Sequence, residues 1–366
     1  MDKSKTLIPL NYFYDNDFFA KEQSNLFSRV WQFACFEDEL MNDGDYFTFE
    51  LLGLSIVLRN FAGSIKAFKN VCLHRFSKIC IETKGNGPLQ CPYHGWTYNH
   101  KGEPYAIPGR KTFQNEDVQK SRLQSFDVEK IGKFIFIRLG AEGLPIDTFI
   151  DNPTRDLLLT VSEALGKKID TNEMLIDANW KINVENTLED YHVRSVHSDT
   201  LWKVGIIDSQ FALSKYHSST TMMFELNLNK SSALSSIYAD RPWHVKDYFH
   251  QLIFPNLTIA SAFGTTISIQ QFIPISSEKT KFISHVFSTN GSKIGHPVVA
   301  AFNENATTFN RKVFSEDKVI CESVHQGIQQ MESSSRGYFS SLEERVWFFE
   351  RVYMDLIELN DTFEII

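Results

Sequence analysis

Two short pairs of metal-ligating residues constrain this chain more than anything else in it: Cys72-Leu73-His74 and Cys91-Pro92-Tyr93-His94, sixteen residues apart. Each pair supplies one thiolate and one imidazole. Two thiolates and two imidazoles suit either a structural zinc ion or a [2Fe–2S] cluster whose Cys pair holds one iron and whose His pair holds the other. Zinc motifs of this kind usually keep Cys with Cys and His with His. Here each pair mixes the two, so the cluster is the expectation and zinc the alternative. A cluster implies one-electron transfer to some chemistry of the chain's own.

A length of 366 residues allows two or three structural units. No run of eighteen apolar residues occurs, so no membrane span is expected. Met1-Asp2-Lys3-Ser4-Lys5 leads into no apolar stretch, so no secretory signal is expected. Five cysteines, two already assigned, do not make a disulfide framework, and a reducing cytoplasm is the simplest home. A net charge of −8 argues against a nucleic-acid partner, yet an acidic surface can steer a basic redox partner.

Helical spacing of Phe19, Leu26, Phe27 and Val30 predicts a helix over 15–31. From Asp45 the pattern becomes β, with strands at 46–49, 55–59, 65–71 and 133–139, turns near Gly53 and Asn60–Gly63, and a tight turn at Gly85–Pro88. Both ligand pairs fall on loops after strands. Asp151-Asn152-Pro153 predicts a helix start, with helix over 154–165. Another helix lies within 179–197. Strands at 220–226, 256–261, 265–273 and 281–288 precede helices at 298–327 and 342–360. The fold class is α+β: an N-terminal helical segment (1–40) packing on the catalytic domain, a small all-β cluster domain (41–152), and a helix-and-antiparallel-sheet catalytic domain (153–366).

A second metal site suggests itself in Glu185–His197, where His192 and His197 stand near several carboxylates. Two His and one carboxylate form the facial triad of non-haem Fe(II) oxygenases, with open positions for O2. Residues i and i+5 lie apart around a regular helix, so the helix must bulge or end between the two histidines. Glu189, three before His192, is on its face; Asp190 points away and reads as a surface acid.

At this point the chain resembles the α subunits of the Rieske non-haem iron oxygenases, over nearly its full length. The motifs are C-x-H-R…C-x2-H-G-W, here Cys72–Arg75 and Cys91–Trp96, and N-W-K…E-N-x2-[D/E]-x-Y-H-x4-H, here Asn179-Trp180-Lys181 and Glu185–His197. Phe254-Pro255-Asn256 and Glu316-Asp317…Gln326-Gly327 are similar to further family landmarks. The resemblance implies that Cys72, His74, Cys91 and His94 bind a Rieske [2Fe–2S] cluster, and that His192, His197 and Asp317 bind mononuclear Fe(II), with Glu316 and Glu322 as rivals to Asp317. It implies that Glu189 bridges His94 of one subunit and His192 of the next within a homotrimer. Electrons from NAD(P)H would arrive through a separate reductase, with or without a ferredoxin, since no G-x-G-x-x-G fingerprint is present. Asn186, one turn before Glu189, either shapes that site or serves only its helix.

Two departures stand out. Many members have Gly where this chain has Phe76, which reshapes or covers the cluster loop. The bridge is Glu189 where ring dihydroxylating members usually have Asp; Glu resembles the quaternary-ammonium monooxygenases acting on choline-, carnitine- or betaine-like substrates. The expected function is O2-dependent hydroxylation or dealkylation of a small organic molecule, with ring dihydroxylation of an arene as the alternative and a pure electron carrier as a third. The expected pocket lining lies around 201–226 and 258–272 and mixes Trp202, Phe211, Met222, Met223, Phe224 and Phe263. The remaining histidines (100, 217, 244, 250, 285, 296, 325) are read as surface or hydrogen-bonded groups, and Cys35, Cys80 and Cys321 as packing residues.

Overall fold

The computed structural model describes residues 4–114, 118, 120–224, 248–262, 264–290 and 297–358. The chain divides into two compact units, Phe27–Phe149 and a second made of Met1–Leu26 with Ile150–Ile366.

The first unit is all β apart from short helical turns. Its strands are β1 (Gln32–Phe36), β2 (Asp45–Leu51), β3 (Leu54–Phe61), β4 (Ser64–Lys69), β5 (Lys84–Asn86), β6 (Leu89–Gln90), β7 (Thr97–Tyr98), β8 (Pro104–Ala106), β9 (Ser125–Ile131) and β10 (Phe134–Arg138). They form a sheet in the order β1-β10-β9-β4-β3-β2-β5 and a smaller one, β6-β7-β8. Leu52-Gly53 and Ala62-Gly63 close the two hairpins around β3 with positive φ at both central residues. That geometry matches the right-handed strand twist and favours Gly at the second place. The Gly85–Pro88 turn is in part strand, because Lys84–Asn86 pairs with β2.

The helix expected over 15–31 is shorter. Asp15 caps α1 (Asn16–Glu22) by accepting the Asp17 N–H, and a π-type turn follows over Gln23–Phe27. Gln32–Phe36 is then a strand, buried at all five positions and paired with β10. The break between units therefore falls at Leu26/Phe27 and not at residue 40. An apolar run buried on both faces reads equally as helix or strand, and here the partner strand decides.

The second unit contains α2 (Asn152–Ala164), β11 (Leu165–Ile176), α3 (Trp180–Asn186), α4 (Val193–Val196), β12 (Ile206–Leu213), β13 (Ser218–Phe224), β14 (Tyr248–Ile253), β15 (Leu257–Ala262), β16 (Thr266–Ser276), β17 (Lys279–Thr289), α5 (Pro297–Ile328) and α6 (Glu344–Glu358). Its sheet is antiparallel, ordered β11-β17-β16-β15-β14-β13-β12. Asp151 caps α2 as expected, accepting from the Thr154 N–H.

A buried polar knot fixes α3. Glu22 of α1 takes hydrogen bonds from Trp180 Nε1 (3.0 Å) and Tyr353 Oη (2.6 Å), and an ion pair from Lys181 Nζ (2.5 Å). Asn179 caps the same helix, accepting from the Lys181 N–H. The Asn179-Trp180-Lys181 motif is thus an anchor, with its charge paired as burial demands. It orients the segment that carries His192 and His197.

Candidate functional site

The two ligand loops of the first unit are copies of one another. In each, the Cys N–H donates to the carbonyl five residues on (Cys72 to Ser77, Cys91 to Trp96, both 2.8 Å), and the N–H four residues on returns to the Cys carbonyl. The residue at that fourth place is left-handed in both: Phe76 at φ 61° and Gly95 at φ 73°. Phe76 therefore does not reshape the loop. It adopts the glycine conformation and carries a side chain that is 77% exposed, so it does not bury itself over the site either.

The loops bring the four ligands together. The His74 and His94 rings are 4.6 Å apart, and His74 stacks on Trp96. Cys72 and Cys91 are buried and face each other; burial, and then the neighbouring Cys91, push the Cys72 thiol up. Tyr98 Oη lies 3.2 Å from Cys72 Sγ and accepts the Leu73 N–H. His74 Nδ1 is buried without a hydrogen-bond partner. An orphaned imidazole nitrogen beside two crowded thiols is what a metal cluster would satisfy, so the donor set fits.

In the second unit the expected interruption occurs. Helix α3 ends at Asn186, and His192 and His197 flank the single turn α4 as its two end residues. Asp317 of α5 meets them: its Oδ1 lies 2.9 Å from His197 Nε2 and 3.7 Å from His192 Nε2. One ligand atom from each of the three residues lies within 4.8 Å of the others. Asn186 Nδ2 donates to the same Asp317 oxygen at 2.9 Å, so it reaches into this site.

Behind each histidine stands a glutamate. Glu189 meets His192 Nδ1 and also accepts the Tyr191 and His192 N–H groups. Glu316 lies 2.8 Å from His197 Nδ1 and accepts the Thr200 hydroxyl. The two Nε2 atoms are left facing Asp317, which is the arrangement of carboxylate–histidine–metal triads. Burial disfavours charge on His197, but Asp317 and Glu316 outweigh it and push its pKa up. A cation among these groups would replace that proton, so the residues fit a metal ion. Of the rivals to Asp317, Glu316 supports His197 from behind, and Glu322 accepts the Asp177 N–H. Asp190 is half-buried and accepts from Ser209 Oγ at 2.5 Å, so it is not a surface acid.

A cavity of about 120 Å³ opens onto this site. Its far wall is one face of the second sheet: Met174, Met222, Tyr248, His250, Gln270, Phe272 and Phe282, with Val313, Phe314 and Cys321 of α5 opposite. The expected ranges supply Leu201, Met222, Gln270 and Phe272; among the described residues named within them, Trp202 and Met223 are exposed, and Phe211 is not in the lining. The Phe224 side chain and Phe263 lie outside the described residues, as do His244 and His296. His217, His285 and His325 are engaged in local polar contacts, in keeping with their reading; His250, on the cavity wall, is not an ordinary core group. Cys35 and Cys80 are buried, and burial pushes both thiols up, Cys80 to about 12.

Residues 160–359 match the ring hydroxylating alpha subunit (catalytic domain) family, and residues 30–127 match the Rieske [2Fe-2S] domain. The chain belongs to the Rieske oxygenase α subunits. It is an enzyme of the non-haem iron oxygenase type, with a [2Fe–2S] cluster and a mononuclear iron as its cofactors. Zinc and the pure electron carrier are thereby set aside. Chloroplastic choline monooxygenase of Beta vulgaris is 25% identical over 351 residues, covering 93% of this chain and 75% of that protein. The glycine betaine monooxygenase oxygenase subunit of Chromohalobacter salexigens is 32% identical over 197 residues, 53% of this chain and 44% of that one. The fold is shared with the quaternary ammonium Rieske monooxygenase CntA in complex with L-carnitine (TM-score 0.81, 19% identity, 97% and 96% of the two chains). It is also shared with naphthalene 1,2-dioxygenase from Rhodococcus sp. (TM-score 0.75, 17% identity, 97% and 95%). No helix among the described residues is long and apolar enough to cross a membrane.

Proposed function

We propose that this chain is the terminal oxygenase of a monooxygenase system that hydroxylates or oxidatively dealkylates a small amine or quaternary ammonium compound. The observation that carries this reading is the convergence of His192, His197 and Asp317 at the mouth of one cavity. The relatives named for choline and glycine betaine supply the substrate class.

In this reading Cys72, Cys91, His74 and His94 hold the cluster, and His192, His197 and Asp317 hold the iron. When bound, the cluster supplies single electrons and the iron supplies the open coordination that lets O2 oxidise the substrate. Glu189 and Glu316 orient the two iron histidines through Nδ1, and Asn186 fixes the Asp317 carboxylate. Phe272, Phe282, Phe314 and Met174 exclude water and surround an apolar or quaternary group. His94 is exposed at its loop tip, which supports a role in reaching Glu189 of a second copy. Homotrimeric assembly, a cytoplasmic location, and a separate NAD(P)H reductase with or without a ferredoxin complete the proposal. No nucleic-acid or membrane partner is part of it.

The same aromatic wall favours a second reading, ring dihydroxylation of an arene. One experiment separates them. The iron-loaded protein is run with a surrogate reductase on two substrate pools, one of N-methyl and quaternary amines and one of arenes and aromatic acids, and products are weighed by mass spectrometry. A cleaved amine with its aldehyde supports the monooxygenase. An arene product two oxygens heavier, with the amines untouched, overturns it.

A further inference from the structure

Arg345 is fully buried and pairs with no carboxylate among the described residues. Its Nε donates to Ser218 Oγ and its Nη2 to the Ser218 carbonyl, both at 3.2 Å. Nη2 also meets His250 Nδ1 at 3.1 Å, and Nη1 has no partner among the described residues. The residue sits in the first turn of α6, the end of a helix that disfavours a cation. Burial brings its pKa down to about 9, which leaves it charged at neutral pH. A buried cation with no carboxylate partner among the described residues, at the wrong helix end, works against folding. Its presence is explained if an anionic group arrives later.

His250 carries that charge to the cavity. A guanidinium has no lone pair to offer, so Nδ1 of His250 must accept and the ring proton must sit on Nε2. Burial, and then Arg345, hold the ring far below the ordinary histidine range, so it stays neutral and keeps that tautomer. Nε2 is buried without a partner on a residue that shares the cavity lining with His192, His197 and Asp317. Thr220, opposite His250 in the β13–β14 ladder, also has a buried hydroxyl with no partner. Among the described residues three neighbouring polar groups therefore stand unsatisfied, Arg345 Nη1, His250 Nε2 and Thr220 Oγ1, and of these His250 lines the cavity.

We propose that His250, backed by Arg345, is a receptor for a carboxylate on the substrate, so that the compound oxidised here is a carboxylated one. The inference rests on reading this cavity as the substrate site. A carboxylate would accept a charge-assisted hydrogen bond and compensate the buried guanidinium in one step. The amine class then narrows to zwitterions, with the cationic end against the aromatic wall. Simple cationic alcohols fit less well.

The test is calorimetric binding to the anaerobic holoenzyme of two matched pairs: glycine betaine and its methyl ester, and benzoate and methyl benzoate. The acid of at least one pair is expected to bind about tenfold or more tightly than its ester, the gain of a charged hydrogen bond. His250→Phe should erase that preference, acid and ester then binding within about twofold of each other, while His250→Gln, whose amide still donates, should keep part of it. Metal content and circular dichroism show whether each variant is folded, and the Gln variant stands in if the Phe variant is not. Equal binding of acid and ester in both pairs, no binding of either acid, or an undiminished preference in His250→Phe overturns the receptor. A preference confined to the benzoate pair supports the receptor and removes the amine reading. Equal binding of glycine betaine and its ester, with benzoate and its ester also equal or unbound, removes the receptor and leaves the amine reading.

Discussion

The Glu316 carboxylate lies 2.8 Å from Nδ1 of His197, standing behind that ring as Glu189 stands behind His192. Both histidines of the proposed iron site are thus held from the rear, and both present Nε2 to Asp317. Glu316→Ala is expected to weaken iron binding by about 10- to 100-fold, the usual loss when such a support is removed. Iron content after dialysis against a graded chelator, with cluster absorbance as the internal control, checks this. Unchanged iron retention would show that Glu316 serves the helix alone.

Phe76 occupies a backbone conformation that glycine holds at the equivalent place in the other loop. A left-handed conformation costs a residue with a Cβ about 1–2 kcal/mol, partly offset by the greater unfolded-state freedom of glycine. Phe76→Gly should therefore raise the thermal midpoint of the cluster unit, by up to about 1 kcal/mol of stability. A lowered midpoint would mean that the exposed ring makes contacts of its own.

Tyr98 Oη lies 3.2 Å from Cys72 Sγ, so with Cys72 as the proposed cluster ligand it is placed to donate to the thiolate and ease reduction of the cluster. Tyr98→Phe should move the cluster potential to a more negative value with the visible spectrum retained. Direct electrochemistry reads this, and an unchanged potential would assign the hydroxyl solely to the Leu73 N–H.

Glu350 is buried, and burial pushes its carboxyl up to about 7 even though the Leu7 and Ile8 N–H groups favour its charged form. A raised carboxyl pKa stabilises the fold while the group is protonated. The contribution is present below the ordinary value of 4.5 and is lost as pH rises through about 7. Unfolding midpoints should fall across that window, by an amount on the order of 3 kcal/mol, and Glu350→Gln should flatten the slope. The same slope in the variant would place the titrating group elsewhere.

The convergence of Cys72, His74, Cys91 and His94 was legible because each pair is contiguous and its loop is set by local hydrogen bonds. His192 and His197 were legible for the same reason, and their spacing foretold the break in the helix. Asp317 came from resemblance alone. Glu316 and Asp317 are neighbours on one helix, and only its phase against α4 decides which faces the two Nε2 atoms and which supports His197 from behind. The cavity wall was legible in part, through Leu201, Met222, Gln270 and Phe272 within the expected ranges. It is built from alternate residues of strands far apart in sequence, Met174, Tyr248, His250 and Phe282 among them, whereas aromatic content pointed to Trp202 and Phe211. Arg345 gave no signal, because an arginine in the first turn of a helix reads as surface until its burial is seen.

The most direct test of the account is complementation between two inactive variants, His94→Ala, which loses the cluster, and His192→Ala, which loses the iron. Each alone should be inactive. Mixed in equal amounts and reassembled, they should regain substrate-dependent turnover at about a quarter of the wild-type level, the share of junctions in a random ring where an intact cluster faces an intact iron. Activity recovered on mixing would place the electron route between subunits. Continued inactivity of a mixture proven to contain both chains in one assembly would contradict it.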